Sequence, residues 1–310
     1  MRYPNPSFLL CIGMGDAYAA PTEYLKFPGD EAVRDEVLKF ERYLNHPRHE
    51  LGLGRYTDDT EMSVANALVL IENEPPYTPK MFADAWVREF ARGGRRKGYS
   101  SKFQAFLERV KTGEEFLAKI QPNSNKNGAA MRAVPFGVLR TVAEVLEVAT
   151  MQAKITHDTP EGLFSARAVA LMSHFAFYDE GSPNKILSYC VKHLPEEDRH
   201  FLCVFSEGWA GGPVCTTKSE SVAITTVRAV VQTLINHPNL SLRAILEEVI
   251  RWGGDTDSVA AIALGIAGIR NQTDTFLPDF IFYDLEQGSP ETGAHYLLDV
   301  GQRLIEKFNS

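Results

Sequence analysis

Two short stretches of the chain pack carboxylates and hydroxyls together: Tyr56-Thr57-Asp58-Asp59-Thr60 and Gly253-Gly254-Asp255-Thr256-Asp257-Ser258. Each runs directly into an apolar segment, residues 61–70 after the first and 259–268 after the second. Asp, Thr and Ser ahead of an apolar run are favoured at helix N-termini, where their oxygens accept the unpaired first-turn N–H groups. Capping accounts for one carboxylate per helix, not two. If the clusters meet in space, four carboxylates share one small volume and repel each other strongly, unless a cation lies between them. Oxygen ligands with no adjacent Cys or His suit Mg²⁺, Mn²⁺ or Ca²⁺ rather than zinc or copper.

Three further sites could do chemistry. Asn123-Ser124-Asn125-Lys126-Asn127-Gly128 is a polar, turn-forming run. Asn and Gly there tolerate left-handed backbone and leave N–H groups free. The run reads either as an ordinary surface loop or, with the helix that follows, as a seat for a diphosphate. His157 titrates near neutrality in its unperturbed state and reads as a packed, capping or acid–base side chain. Glu23 on its own reads as a helix-surface carboxylate. Trp252, just before the second cluster, can stack on a base or pack; packing is expected.

The elements that must position these groups are helical. Apolar residues recur at three- and four-residue spacing over 31–44, 60–73, 79–92, 101–110, 129–151, 161–177, 184–194, 220–237, 241–251 and 257–271. Gly, Pro and Asn punctuate the gaps, and no alternating run predicts a strand. The longest irregular stretches are expected near 119–128 and 206–219, short enough to be active-site loops. The expectation is one all-α domain over residues 1–310, a compact orthogonal helical bundle.

Composition narrows the function classes. Of 310 residues, 44% are hydrophobic and 23% charged, which supplies a core and excludes a disordered chain. A net charge of −8 argues against stable nucleic-acid binding, although Arg92 to Lys97 form a local basic patch. The 4 cysteines have no Cys-x-x-Cys spacing, so a reducing cytoplasm is expected. Residues 7–14 are apolar but are ended by Asp16 too early for a signal peptide or membrane span.

The two acidic clusters resemble the metal-binding signatures of the ADP-ribosylglycohydrolase family. Gly15-Asp16-Ala17 with Pro21-Thr22-Glu23 resembles its opening motif, Asn127-Gly128-Ala129-Ala130-Met131-Arg132 its substrate loop, and Thr156-His157 with Pro160 its histidine motif. The motifs run in order from about residue 12 to residue 270. The resemblance implies an all-α fold and two divalent ions, Mg²⁺ or Mn²⁺, held by Thr57, Asp58, Asp59, Asp255, Asp257 and Ser258. It implies Glu23, Asp58 and Asp257 as catalytic residues, and Asn123, Ser124, Asn125, Asn127, Gly128, Met131 and His157 as substrate-binding ones. Asp16 would support the metal ligands from behind. The implied activity is hydrolysis of the glycosidic bond between ADP-ribose and a modified target, with protein arginine leading. Serine, O-acetyl-ADP-ribose and nucleobase linkages, and a silent binding protein of the same fold, are the alternatives. The partner would be an ADP-ribosylated protein, ADP-ribose the product and the chain a monomer. Two departures from the family's usual pattern stand out. Tyr18-Ala19 replace a small apolar pair, and Lys126 stands where glycine is common.

Overall fold

A helix that is apolar on every side has to lie inside a protein. Two such helices form the axis of this structure, a computed structural model that describes residues 4–178, 181–270 and 277–309. All 12 residues of the first, α1 (Phe8–Ala19), are buried. Around it the chain runs α2 (Glu31–Val37), α3 (Asp58–Glu72), α4 (Pro79–Arg92), α5 (Ser101–Leu107), α6 (Gly113–Lys119), α7 (Gly128–Met131) and α8 (Val142–Lys154). It continues with α9 (Pro160–Tyr178), α10 (Ile186–His193), α11 (Cys203–Glu207), α12 (Val222–Asn236), α13 (Leu242–Trp252), α14 (Thr256–Arg270), α15 (Phe280–Tyr283) and α16 (Ala294–Asn309).

The architecture is all-α, as expected; among the described residues the only extended pairings are isolated bridges, Asn123 to His157 and Val214 to Gly254. The second buried helix, α14, lies along α1. A Cβ on Gly15 would stand 2.6 Å from the Ala260 carbonyl oxygen, so only glycine lets the two backbones come this close. Helices α3, α9, α12, α13 and α16 pack around the pair, and one apolar cluster extends from Phe8 to Ile305. No helix among the described residues is long and apolar enough to cross a membrane.

The structure redraws several expected elements. The expected helix over 129–151 is three pieces: α7, a 3₁₀ turn over Val134–Val138 and α8. Pro135 has no N–H to continue a helix, and the chain restarts only at Thr141, which makes a capping box with Glu144. The segment over 31–44 stops as a helix at Val37, and Phe40 takes φ 56°. Residues 38–57 carry no helix and form a longer irregular stretch than either 119–128 or 206–219. Helices α1, α6, α11, α15 and α16 lie outside every expected segment. Asn271, the last residue of the expected 257–271 helix, lies outside the described residues.

Candidate active site

The first cluster sits where α3 begins against α1. Thr57 is the N-cap, its hydroxyl accepting from the Asp59 N–H at 3.4 Å. Asp16, from α1, receives the N–H groups of Thr57 (2.9 Å) and Thr60 (3.1 Å) and the Thr60 hydroxyl (2.6 Å), so a second carboxylate completes the cap. The Thr57 hydroxyl also lies 3.0 Å from Asp16 Oδ1 and 3.1 Å from Asp59 Oδ2. Behind this turn Arg96 is buried between Glu61 (2.6 Å) and Glu286 (2.8 Å), donates to the Tyr56 carbonyl and stacks on the Tyr56 ring. Glu286 in turn accepts from the Tyr56 N–H and from Arg55.

The second cluster begins α14. Gly253 and Gly254 turn the chain with φ of 76° and 79°. A Cβ on Gly254 would lie 2.1 Å from the Val214 carbonyl oxygen, so the position admits no side chain. The Thr256 hydroxyl reaches the Ala19 carbonyl at 3.0 Å and the Thr22 hydroxyl at 2.9 Å. That pair ties the start of α14 to the 3₁₀ turn Ala20–Thr22 at the end of α1 and leaves Glu23 beside Asp255.

The two clusters therefore converge. One carboxylate oxygen from each of Asp16, Asp59 and Asp257 lies within 4.8 Å of the others, and the same holds for Glu23, Asp255 and Asp257. Asp257 belongs to both groups. Asp58 stands outside them but close enough for Asp16, Glu23 and Asp255 to act on its charge. The Ser258 side chain stands close enough to Asp59 and Asp255 to oppose the pKa rise of both. Burial first, and then neighbouring negative charge, holds Asp58, Asp59 and Asp257 well above the usual carboxylate range. Burial pushes Glu23 up to about 8, with Asp255 and Asp16 adding to it. Burial raises Asp16 to about 6 against the opposing pull of its Thr60 and Thr57 hydrogen bonds.

Asp59 Oδ1 and Asp257 Oδ1 are buried with no hydrogen-bond partner among the described residues. Buried carboxylate oxygens without donors are costly and rare. An all-oxygen donor set containing two such atoms fits a hard divalent cation, so these residues could hold a metal.

The 123–128 loop and His157, distant in sequence, also meet. Asn123 bridges His157, and a Cβ on Gly128 would lie 2.9 Å from His157 Cε1. Asn123 and Asn125 are exposed, while Asn127 is buried and donates to Asp255 Oδ2 at 2.7 Å and Thr226 Oγ1 at 3.1 Å. Asn127 thus joins the loop to the carboxylates. Ser124 accepts from Thr159 through its carbonyl. Met131 is buried, its carbonyl held by Ser63. Exposed Lys126 donates to Thr216 Oγ1 at 3.0 Å; burial raises Asp255, and the Lys126 charge is one of the weaker influences opposing that rise.

Several residues of this site were not among the sequence candidates. Thr60 holds Asp16 and stands inside the first quoted cluster, which was its signal. Arg132 ends the loop motif and is fully buried. Thr226, which holds Asn127, sits in the apolar run of α12 and carries no sequence signal. Tyr24, exposed beside the acids, donates its N–H to the Gly254 carbonyl at 2.8 Å. Trp252 packs edge to face on Trp209, 6.5 Å between centroids, as expected. Tyr18 turns away from the acids, stacking on Phe40 at 4.8 Å and donating to the Val37 carbonyl. The Arg92 to Lys97 stretch is not a continuous basic patch: Arg96 is buried between carboxylates and Arg92 pairs with Glu89.

Comparison with known proteins agrees with this geometry. An uncharacterised protein of Archaeoglobus fulgidus is 25% identical over 272 residues, covering 84% of this chain and 86% of that one. The ADP-ribosylhydrolase ARH3 of Xenopus tropicalis is 28% identical over 152 residues, 46% of this chain and 42% of its own. A solved ADP-ribosylglycohydrolase-related protein complex shares the fold with a TM-score of 0.72 at 18% identity, covering 97% of this chain and 96% of that one. The sequence profile of the ADP-ribosylglycohydrolases matches residues 7–308. Because that match takes in both acidic clusters, the loop and His157, the chain belongs to the ADP-ribosylglycohydrolase family, whose members hydrolyse ADP-ribose linkages.

Proposed function

We propose that the chain is a divalent-metal-dependent hydrolase that releases ADP-ribose from protein arginine by cleaving the N-glycosidic bond. The observation that carries this reading is the pair of carboxylate groups sharing Asp257, with unpartnered oxygens on Asp59 and Asp257, joined through Asn127 to the 123–128 loop. Two groups suit two ions, Mg²⁺ or Mn²⁺: Asp59, Asp255 and Asp257 supply donors from within the groups, Thr57, Asp58 and Ser258 are the donors added beside them, and Asp16, a member of the first group, also holds Thr57 and Thr60. Bound there, such ions would lower the pKa of a coordinated water and neutralise negative charge as the sugar gains oxocarbenium character. The loop residues Asn123, Ser124, Asn125, Asn127 and Gly128, with Met131 and His157, hold the ADP-ribose. Glu23 approaches the reacting sugar from the end of the 3₁₀ turn. Glu23 and Asp58 are the partly exposed carboxylates of the cluster and favour a cationic acceptor such as a guanidinium.

The test is incubation with arginine-, serine- and nucleobase-linked ADP-ribose, with Mg²⁺, with Mn²⁺ and with chelator. Release from arginine that requires a divalent ion is the expected outcome. Release from another linkage alone overturns the acceptor, and release in excess chelator overturns the metal.

A further inference from the structure

Arg132 is a buried guanidinium with no carboxylate partner among the described residues. Its exposure is 1%, and its hydrogen bonds go to three neutral groups: Gln152 Oε1 at 2.7 Å, Met62 Sδ at 3.4 Å and Thr156 Oγ1 at 2.7 Å. The guanidinium carbon lies 4.1 Å from the centroid of the Trp86 ring, and the negative charge of Asp58 acts on it. Burying an unpaired charge is costly, so a use for it has to be sought.

Thr156 Oγ1 lies 2.7 Å from Arg132 Nη2 and 2.7 Å from His157 Nδ1. A guanidinium only donates, so the Thr156 oxygen must accept from it. The single hydroxyl hydrogen is then free to point at His157 Nδ1. In that orientation Nδ1 is the acceptor, and a neutral imidazole accepting at Nδ1 carries its own proton on Nε2; this is the arrangement in which the hydroxyl hydrogen also finds a partner. Burial, followed by the Arg132 charge, lowers His157 to about 3, which keeps the ring neutral. Nε2 makes no hydrogen bond among the described residues and stands against Gly128, where a Cβ would be 3.0 Å away.

We propose that Arg132 is a positioning residue that acts through Thr156 to hold His157 in the Nε2–H tautomer, presenting a fixed N–H donor to an acceptor oxygen of the bound ligand. The ligand half of this statement rests on the proposed function, with ADP-ribose as the acceptor. The tautomer half does not. Around the relay the frame is rigid: Gln152 also donates to the Ala129 carbonyl at 3.0 Å, and Asn66 to the Arg132 carbonyl at 2.8 Å. A direction fixed in advance saves the ordering cost that a free imidazole would pay on binding.

Nitrogen-15 NMR of the ring-labelled wild-type protein reads the tautomer without any ligand. A protonated Nε2 and bare Nδ1 on His157 at neutral pH are expected; a protonated Nδ1, or an equal mixture, overturns the relay. The second measurement is calorimetry with free ADP-ribose on Thr156→Val and Thr156→Ser, each checked for native helicity. Losing the relay should weaken binding roughly tenfold in Thr156→Val, the scale of one hydrogen bond. Restoring the hydroxyl in Thr156→Ser should recover it and return the wild-type nitrogen shifts. Equal affinity of wild type and Thr156→Val, or no recovery in Thr156→Ser, overturns the assignment of a donor role. A wild-type protein that binds no ADP-ribose while showing the Nε2–H tautomer overturns the proposed ligand and supports the relay.

Discussion

At the scale of single residues, the site is defined by carboxylates that the fold brings together at a cost. Asp59 and Asp257 each keep one buried oxygen without a donor. Replacing either with Asn removes one negative charge from a cluster where like charges already raise each other's pKa. Asp59→Asn and Asp257→Asn are therefore expected to lower divalent-dependent hydrolysis by roughly a hundredfold or more, the scale of losing one electrostatic stabiliser. In chelator both variants should melt no lower than the parent, because relief of repulsion offsets any lost local contact. The added gain from Mg²⁺ or Mn²⁺ should be largely lost. Near-normal rates in both variants would return the two residues to the role of helix caps. Thermal melts with and without metal, beside steady-state rates, check both halves.

At the scale of elements, the site depends on where α3 starts. Its N-terminal turn is fixed from the front by Asp16 of α1 and from behind by Arg96 and Glu286. Glu286 holds φ 53°, a left-handed conformation uncommon for a non-glycine residue. Its carboxylate gathers Arg96, Arg55, the Tyr56 N–H and the Thr292 hydroxyl. Removing one member of a buried ion pair costs most when the other charge is left alone; here Arg96 keeps Glu61, so the loss should be smaller, about 1–3 kcal/mol. Glu286→Gln keeps the shape and removes the charge, so it should lower the unfolding free energy by that amount, read as a downward shift of the urea midpoint at unchanged slope. Since Tyr56 leads into Thr57, the same variant should weaken the metal-induced rise in melting temperature. A urea midpoint within error of the parent would show that the network contributes nothing net.

At the scale of the whole molecule, the clustered acids make stability depend on pH and metal together. The apolar cluster from Phe8 to Ile305 leads us to propose that the chain unfolds as one unit, with a single thermal transition. Glu23 is pushed up to about 8 and Asp16 to about 6, with Asp58, Asp59 and Asp257 also raised. A folded-state pKa above the unfolded one means that the fold binds the proton more tightly. That contribution is fully present below the unfolded carboxylate pKa and is lost as pH rises through the folded values. In chelator the melting temperature should therefore fall between about pH 5 and about pH 8, where these groups give up their protons. An ion that binds only the fold adds about 2.7 kcal/mol at a hundredfold excess over its Kd. For a chain of this length that is a few degrees. The gain should grow as pH rises, since protons and ion compete for the same oxygens. A melting temperature indifferent to Mg²⁺, Mn²⁺ and chelator across that range would contradict the metal reading.

Local signals were sufficient for much of this. Thr57 before an apolar run specifies a helix start through one hydroxyl and one nearby N–H, and residues 79–92 show their period in their own order. The resemblance of five ordered motifs carried the family, and it named both acidic clusters before their meeting was visible. Helix α1 left no periodic signal because it is buried on every side and so has no polar face to alternate with. Helix α16 does carry one, with Leu297, Val300, Leu304 and Ile305 on its buried side, although it lies outside the expected segments. What only the tertiary structure decided is non-local. It set Asp16 on the first turn of α3, Asp257 in both carboxylate groups, Asn127 between loop and metal residues, and Arg132 behind Thr156. Each of those contacts joins residues whose separation along the chain says nothing about their separation in space. The meeting of the two acidic clusters follows from the close approach of α1 and α14, which Gly15 permits and which burial of these two largely apolar helices enforces.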